Sequence, residues 1–206
     1  VTDRARPTAP PPATRTQRLR DATAAAHRGL DAAVMALDPF ASRAHYARLL
    51  AVHHGFHRDV AALYASPELA ITIPDLAARG RAEAVEQDMA DLAVTSASPA
   101  PPAFAPGGAI DRARALGWLY VAEGSSLGAA LLLKAVAPLG LDAGFGARHL
   151  AGHPEGRAAH WRSFTAALDA ATLHPDEEAR AVAGAHEAFA AVQALVDRER
   201  ARAAAA

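Results

Sequence analysis

The sequence predicts an all-α fold, a single helical domain of about six to eight helices. Three observations support this. Nearly every periodic segment repeats its apolar residues at helical spacing, no alternating run reaches strand length, and no internal repeat of about 20 to 50 residues suggests a solenoid. The 206 residues are enough for one well-buried core and rather short for two.

Val1 to about Thr14, rich in proline and arginine, reads as a disordered tail, and residues 15–203 as the helical domain. The tail lacks the apolar stretch of a secretory signal. From Thr16 to Leu37, the residues Leu19, Ala26, Leu30, Ala33 and Leu37 form one stripe when each step turns about 100°. Ser42 can cap a second helix running to about Tyr64, whose apolar face includes Tyr46, Leu49, Leu50, Val52, Phe56, Val60 and Leu63, and Pro67 marks its end. Residues 79–92 read as a shorter helix. Its acids Glu83, Glu86, Asp88 and Asp91 are most simply a solvated face.

A proline- and glycine-rich connection leads to a long apolar helix over about Ile110 to Ala137, closed by Pro138 and Gly140. Another helix spans Arg157 to Ala171. In the last helix Pro175 suits the first position. Asp176, Glu177 and Glu178 complement its positive end, and Arg198, Arg200 and Arg202 its negative one.

Within the long helix, the run LGWLYVAEGSSLGAALLLK places Gly124 and Gly128 one turn apart. Each glycine inside a helix costs roughly 1 kcal/mol relative to alanine. Two on one face imply that something large and flat approaches the backbone, although such a pair also lets two helices pack closely. Glu123 and Lys134 flank an apolar run that falls short of the roughly 20 residues a bilayer span requires.

His27, in LRDATAAAHRGLD, sits roughly 60 to 80° from the centre of the first helix's stripe. That places it at the core margin, where an axial haem ligand belongs, although many core-edge histidines are simply hydrogen-bonded. Arg20 lies on nearly the same side, about 10 Å along the axis, a suitable reach for a haem propionate. A histidine-bearing helix and a glycine-flattened helix are complementary halves of one sandwich.

The segments LRDATAAAHRGLD, GWLYVAEGSSLGAALLLK and ARHLAGHPEGRAAHWRSF resemble the bacterial biliverdin-producing haem oxygenases, particularly those accompanying bacterial phytochromes. The resemblance runs in order over most of residues 17–195. It implies a single-domain, multi-helix haem-oxygenase-like fold with haem, both substrate and prosthetic group, between proximal and distal helices. It makes His27 the proximal iron ligand, Gly124 and Gly128 the distal backbone over haem, and Ser125 a neighbour of the oxygen site. It further implies Arg20 and Tyr120 as propionate contacts, Trp161, His149 and His53 as supports of a distal water network, and Phe189 as pocket lining. The implied reaction consumes haem, dioxygen and external electrons and yields biliverdin, carbon monoxide and ferrous iron. No nucleotide fingerprint is present, so a ferredoxin or reductase must supply the electrons. Delivery of biliverdin to a bacterial phytochrome is a further implication. A haem carrier or sensor without turnover, on the same fold, is the alternative.

The remaining features narrow the classes. A net charge of −1 gives no electrostatic reason to expect nucleic acid or an anionic membrane. Zero cysteines exclude disulfides, thiolate ligands and covalent haem attachment through cysteine, and suit a cytoplasmic setting. The lack of a hydrophobic anchor at the C-terminal end argues for a soluble protein. His53, His54 and His57 include an i, i+4 pair but no H-E-x-x-H pattern, so they read as a mixture of core-edge and surface residues. Trp118 reads as core, and Lys134 as a solvated helix-end lysine.

Overall fold

The computed structural model describes residues 13–95 and 100–205. Of the expected tail, Val1 to about Thr14, residues 1–12 lie outside them, and Thr14 is the cap of α1. The helices are α1 (Arg15–Met35), α2 (Arg43–Tyr64), α3 (Pro67–Thr72), α4 (Leu76–Arg79), α5 (Ala82–Asp91), α6 (Arg112–Val136), α7 (Arg157–Ala170) and α8 (Pro175–Ala204). Short 3₁₀ turns occupy Ala137–Leu139 and Arg148–Leu150.

Polar residues set the helix starts. Thr14 accepts from the Gln17 amide while the Gln17 side chain accepts from the Thr14 amide, a reciprocal cap for α1. Ser42 accepts from the His45 amide, and Asp111 from the amides of Ala113 and Arg114. At α8, Pro175 occupies the first turn and Glu177 accepts from the His174 amide. Pro67 does more than follow α2. With Ser66 as cap it opens α3. Neither α3 nor α4 was visible as a period, because six and four residues complete barely one turn each.

α6 is the central helix, and its closest companion is α8. A Cβ on Gly117 would overlap the Ala181 carbonyl, and one on Gly184 the Arg114 carbonyl. These two glycines therefore let the helix backbones touch. Around this crossing, Leu19, Leu116, Leu119, Phe164, Leu168, Ala185 and Val196 are fully buried. A second cluster joins α2 and α5 to the far end of α6 through Tyr46, Leu49, Leu50, Val85 and Val136. Arg15, also buried, donates to the carbonyls of Leu168 and Ala171 and pairs with Glu178, stapling the start of α1 to the α7–α8 junction.

Contrary to the expectation from Glu123 and Lys134, the α6 region is long and apolar enough by length and composition to cross a membrane. Glu123 and Lys134 interrupt the apolar run, but a helix carrying only a few charges keeps a sufficient mean hydropathy. Here its apolar surface serves the core instead, with Trp118, Leu119, Val121 and Ala122 buried.

Candidate active site

α6 is apolar on nearly every side, which suits a helix enclosed by others. Its first half is enclosed, but its second half leaves one side uncovered: Ser125, Leu127, Gly128, Ala130 and Leu131 are exposed, Leu131 by 75%. A Cβ built at Gly128 meets no atom within 4 Å, and one at Gly124 meets only the Trp161 ring, at 3.7 Å. Helix packing, the alternative explanation of the pair, is carried by Gly117 and Gly184 instead. Gly124 and Gly128 leave a bare, apolar strip of backbone, a shape that suits a flat ligand. Ser125 turns its hydroxyl back to the Ala122 carbonyl at 2.7 Å.

α1 meets this helix at Tyr120, whose phenol feels Arg20 and Thr23 of α1. Burial pushes the Tyr120 phenol up, against the lowering influence of Arg20 and Thr23. Arg20 and Tyr120 are thus neighbours. One turn beyond Thr23 lies His27, and one turn beyond Tyr120 lies Gly124. The His27 side chain is 63% exposed, further from the core than its helical position suggested. Its Nδ1 sits 2.9 Å from Asp31 Oδ2, and its ring meets Phe189 edge-on at 5.8 Å. A carboxylate can only accept, so Nδ1 carries a hydrogen, and in the neutral ring Nε2 keeps its lone pair. Such an imidazole fits an axial iron ligand. Beside it, Ala26, Gly29, Leu30 and Phe189 line an apolar groove between α1 and α8.

Trp161 lies against Gly124, tilted to Tyr120 at 5.8 Å and stacked on Phe164 at 5.7 Å. His149 joins a different set of residues. Its Nε2 is 2.8 Å from His53 Nδ1, and its Nδ1 is 2.7 Å from Asp88 Oδ2. Of the acidic run, Glu83 and Glu86 are exposed as charge patterning implied, but Asp91 is half-buried and Asp88 is 0% exposed. A signal was present: Asp88 shares a helix face with Val85 and Met89, both buried, and a carboxylate on an apolar stripe needs partners. Burial alone would raise the Asp88 carboxyl, but bonds from the His149 ring and from the amides of His149 and Arg148 hold it below its ordinary value.

His57, one turn from His53, is buried with its Nδ1 lacking a partner among the described residues. Burial, helped by the neighbouring His149 ring and the Arg81 charge, lowers its pKa to about 3, and burial holds His53 and His149 low as well. These rings are neutral near pH 7. In the sequence His57 shows only as the second member of an i, i+4 pair without a third ligand, which gives no sign of its burial. The His149 turn is tied to α6 by Arg157, which donates to the carbonyls of Ser126 and Leu150, and to α5 by Arg81, which donates to His149 and Ala151.

Glu123, immediately before Gly124, is buried with Arg79. Arg79 Nη1 lies 3.0 Å from its Oε2, and the Tyr64 hydroxyl donates to its Oε1 at 2.8 Å. Burial pushes the Glu123 carboxyl up, while Tyr64 and Arg79 act against that rise.

An all-helical domain with an exposed imidazole on one helix and a bare glycine strip on another has the architecture of a haem-binding oxygenase. The family model described as heme oxygenase matches residues 13–198. The chain is 44% identical over 186 residues to heme oxygenase PigA of Pseudomonas aeruginosa, covering 89% of this chain and 92% of that relative. Its fold matches the crystal structure of a haem oxygenase from Neisseria meningitidis, studied with NO and CO bound, with a TM-score of 0.84. That match has 40% identity and covers 91% of this chain and 92% of the other. The chain belongs to the haem oxygenase family, and haem is its substrate.

Proposed function

We propose that this haem oxygenase holds its substrate between α1 and α6 and, with dioxygen and electrons from a ferredoxin or reductase, converts it to biliverdin, carbon monoxide and ferrous iron. The observation that carries this reading is the pairing of an oriented imidazole, His27 with its Nδ1 fixed by Asp31, with the open backbone strip at Gly124 and Gly128. When bound, haem supplies the iron at which dioxygen is activated. His27 Nε2 binds the iron, and Asp31 orients the ring. Arg20 and Tyr120 meet the propionates, and Phe189 supports the proximal side.

The glycine strip lets the α6 backbone lie over the opposite face and leaves room for a small diatomic ligand, with Ser125 beside it. No side-chain acid stands on this strip. Proton supply therefore falls to groups around it: Trp161 against Gly124, and the His149–His53 pair at the neighbouring turn, acting through ordered water. His57, with an unpartnered buried nitrogen, joins that set. A cytoplasmic setting suits a chain without cysteine, and the resemblance in the α1 and α6 segments suggests delivery of biliverdin to a bacterial phytochrome.

Haemin titration followed by dioxygen with ascorbate or reduced ferredoxin tests the reading. The Soret band should decay as a biliverdin spectrum grows, and His27→Ala should lose the native axial ligation. Native haem spectra and normal turnover in His27→Ala would refute the proximal assignment.

A further inference from the structure

Asp88 receives four hydrogen bonds. Its Oδ2 accepts from His149 Nδ1 at 2.7 Å and from the His149 amide at 3.0 Å. Its Oδ1 accepts from the Arg148 amide at 2.9 Å and from Arg148 Nη1 at 3.2 Å. The carboxylate is saturated and has no hydrogen to give. His149 must therefore carry its hydrogen on Nδ1. In the neutral ring Nε2 is then a lone pair, so the 2.8 Å contact with His53 Nδ1 requires a hydrogen on that nitrogen too. Every bond in the chain points towards Asp88, and the outermost nitrogen, His53 Nε2, is left as an acceptor.

We propose that Asp88 is a positioning residue for turnover: its buried carboxylate fixes the donor direction through His149 and His53, so that His53 Nε2 accepts a hydrogen bond from a distal water. This rests on the reading of His149 and His53 as members of the distal network. The same residues held with the opposite direction would present an N–H there. The water would then accept from His53 instead of donating to it, which reverses the order of hydrogens along the network.

Asp88→Asn isolates direction from shape. The asparagine oxygen stays with the two Arg148 donors, because placing the amide nitrogen there would oppose two hydrogens rather than one. The nitrogen then faces His149 Nδ1 and donates to it, which moves the His149 hydrogen to Nε2 and reverses His53 in turn.

The measurement is imidazole ¹⁵N NMR of the full chain with ferrous, carbon monoxide-bound haem, a diamagnetic state, alongside single-turnover kinetics. In the native protein both rings should carry hydrogen on Nδ1. In Asp88→Asn both should carry it on Nε2, with haem affinity retained and turnover down about 10- to 100-fold, the scale of losing a group that orients a functional side chain. Hydrogen on Nε2 of His149 in the native protein overturns the proposal even if the variant fails to fold. Reversed rings with native turnover overturn it as well. His53→Ala and His149→Ala separate the two levels. If either slows turnover while Asp88→Asn does not, only the role of Asp88 fails; if neither does, the distal-network reading fails with it.

Discussion

The His27 Nδ1 and the Asp31 Oδ2, one turn apart on α1, lie 2.9 Å from each other, so that in the neutral imidazole Nε2 is the only free lone pair. Both side chains are largely exposed, so the pair itself adds little to folding stability. Its consequence is orientation.

Replacing His27 by alanine should therefore abolish native haem ligation and most turnover while leaving the helical content unchanged. Asp31→Ala should be milder, lowering haem affinity or turnover about 10-fold, because the donor survives but its tautomer and angle are no longer set. Haem titration by absorbance, with circular dichroism as the folding control, checks both.

The two pairs of glycines should respond oppositely. Gly117→Ala drives a methyl group into the Ala181 carbonyl and should cost about 1–3 kcal/mol of stability, with little effect on haem once folded. A Cβ at Gly128 meets no atom within 4 Å, so Gly128→Leu should leave the melting temperature near that of the native protein. It should weaken haem binding at least about 10-fold by filling the open strip. Thermal melts and haem titrations of the two variants decide which pair packs helices and which faces the ligand.

Glu123 offers a stability test at the same helix. Glu123→Ala leaves Arg79 buried with one partner fewer and removes the acceptor of the Tyr64 hydroxyl. Breaking a buried pair by removing one side costs about 3–5 kcal/mol. The remaining bonds from Arg79 to Asp75 and Ser163 should keep the loss at the lower end of that range. Urea unfolding checks the size, and Tyr64→Phe should cost only about 1 kcal/mol.

Much of this was legible in the chain because it was local. The ends of α1, α2, α6, α7 and α8 lie within two residues of the predicted ones, since caps and prolines act over three or four positions. His27, Gly124 and Gly128 stood out for the same reason, each being odd against its own helical stripe. What could not be read was assembled over distance. His53, Asp88 and His149 come from α2, α5 and a 3₁₀ turn, with 61 and 96 residues separating the bonded pairs. The packing roles of Gly117 and Gly184 depend equally on which helices cross, which no periodicity within one helix reveals.

The buried histidines set the acid behaviour of the fold. His57 has a folded pKa of about 3 against an ordinary value of 6.5, so the unfolded chain takes up its proton first as pH falls. A histidine lowered in this way stabilises nothing above 6.5. Between 6.5 and about 3 it favours unfolding, by up to about 1.4 kcal/mol for each pH unit. His53 and His149 act in the same direction. Asp88, held below its ordinary value, keeps its contribution through this window and loses it only as pH falls below about 3.8 towards the folded value. Stability measured by urea unfolding should therefore fall steeply below pH 6.5, well before the carboxylates titrate. His57→Leu removes one titrating site from the window and fills the same buried volume without an unpartnered nitrogen. Its stability curve should be shallower by about one proton between pH 6 and 4. An unchanged slope would mean that His57 takes up its proton as readily in the folded protein as in the unfolded chain.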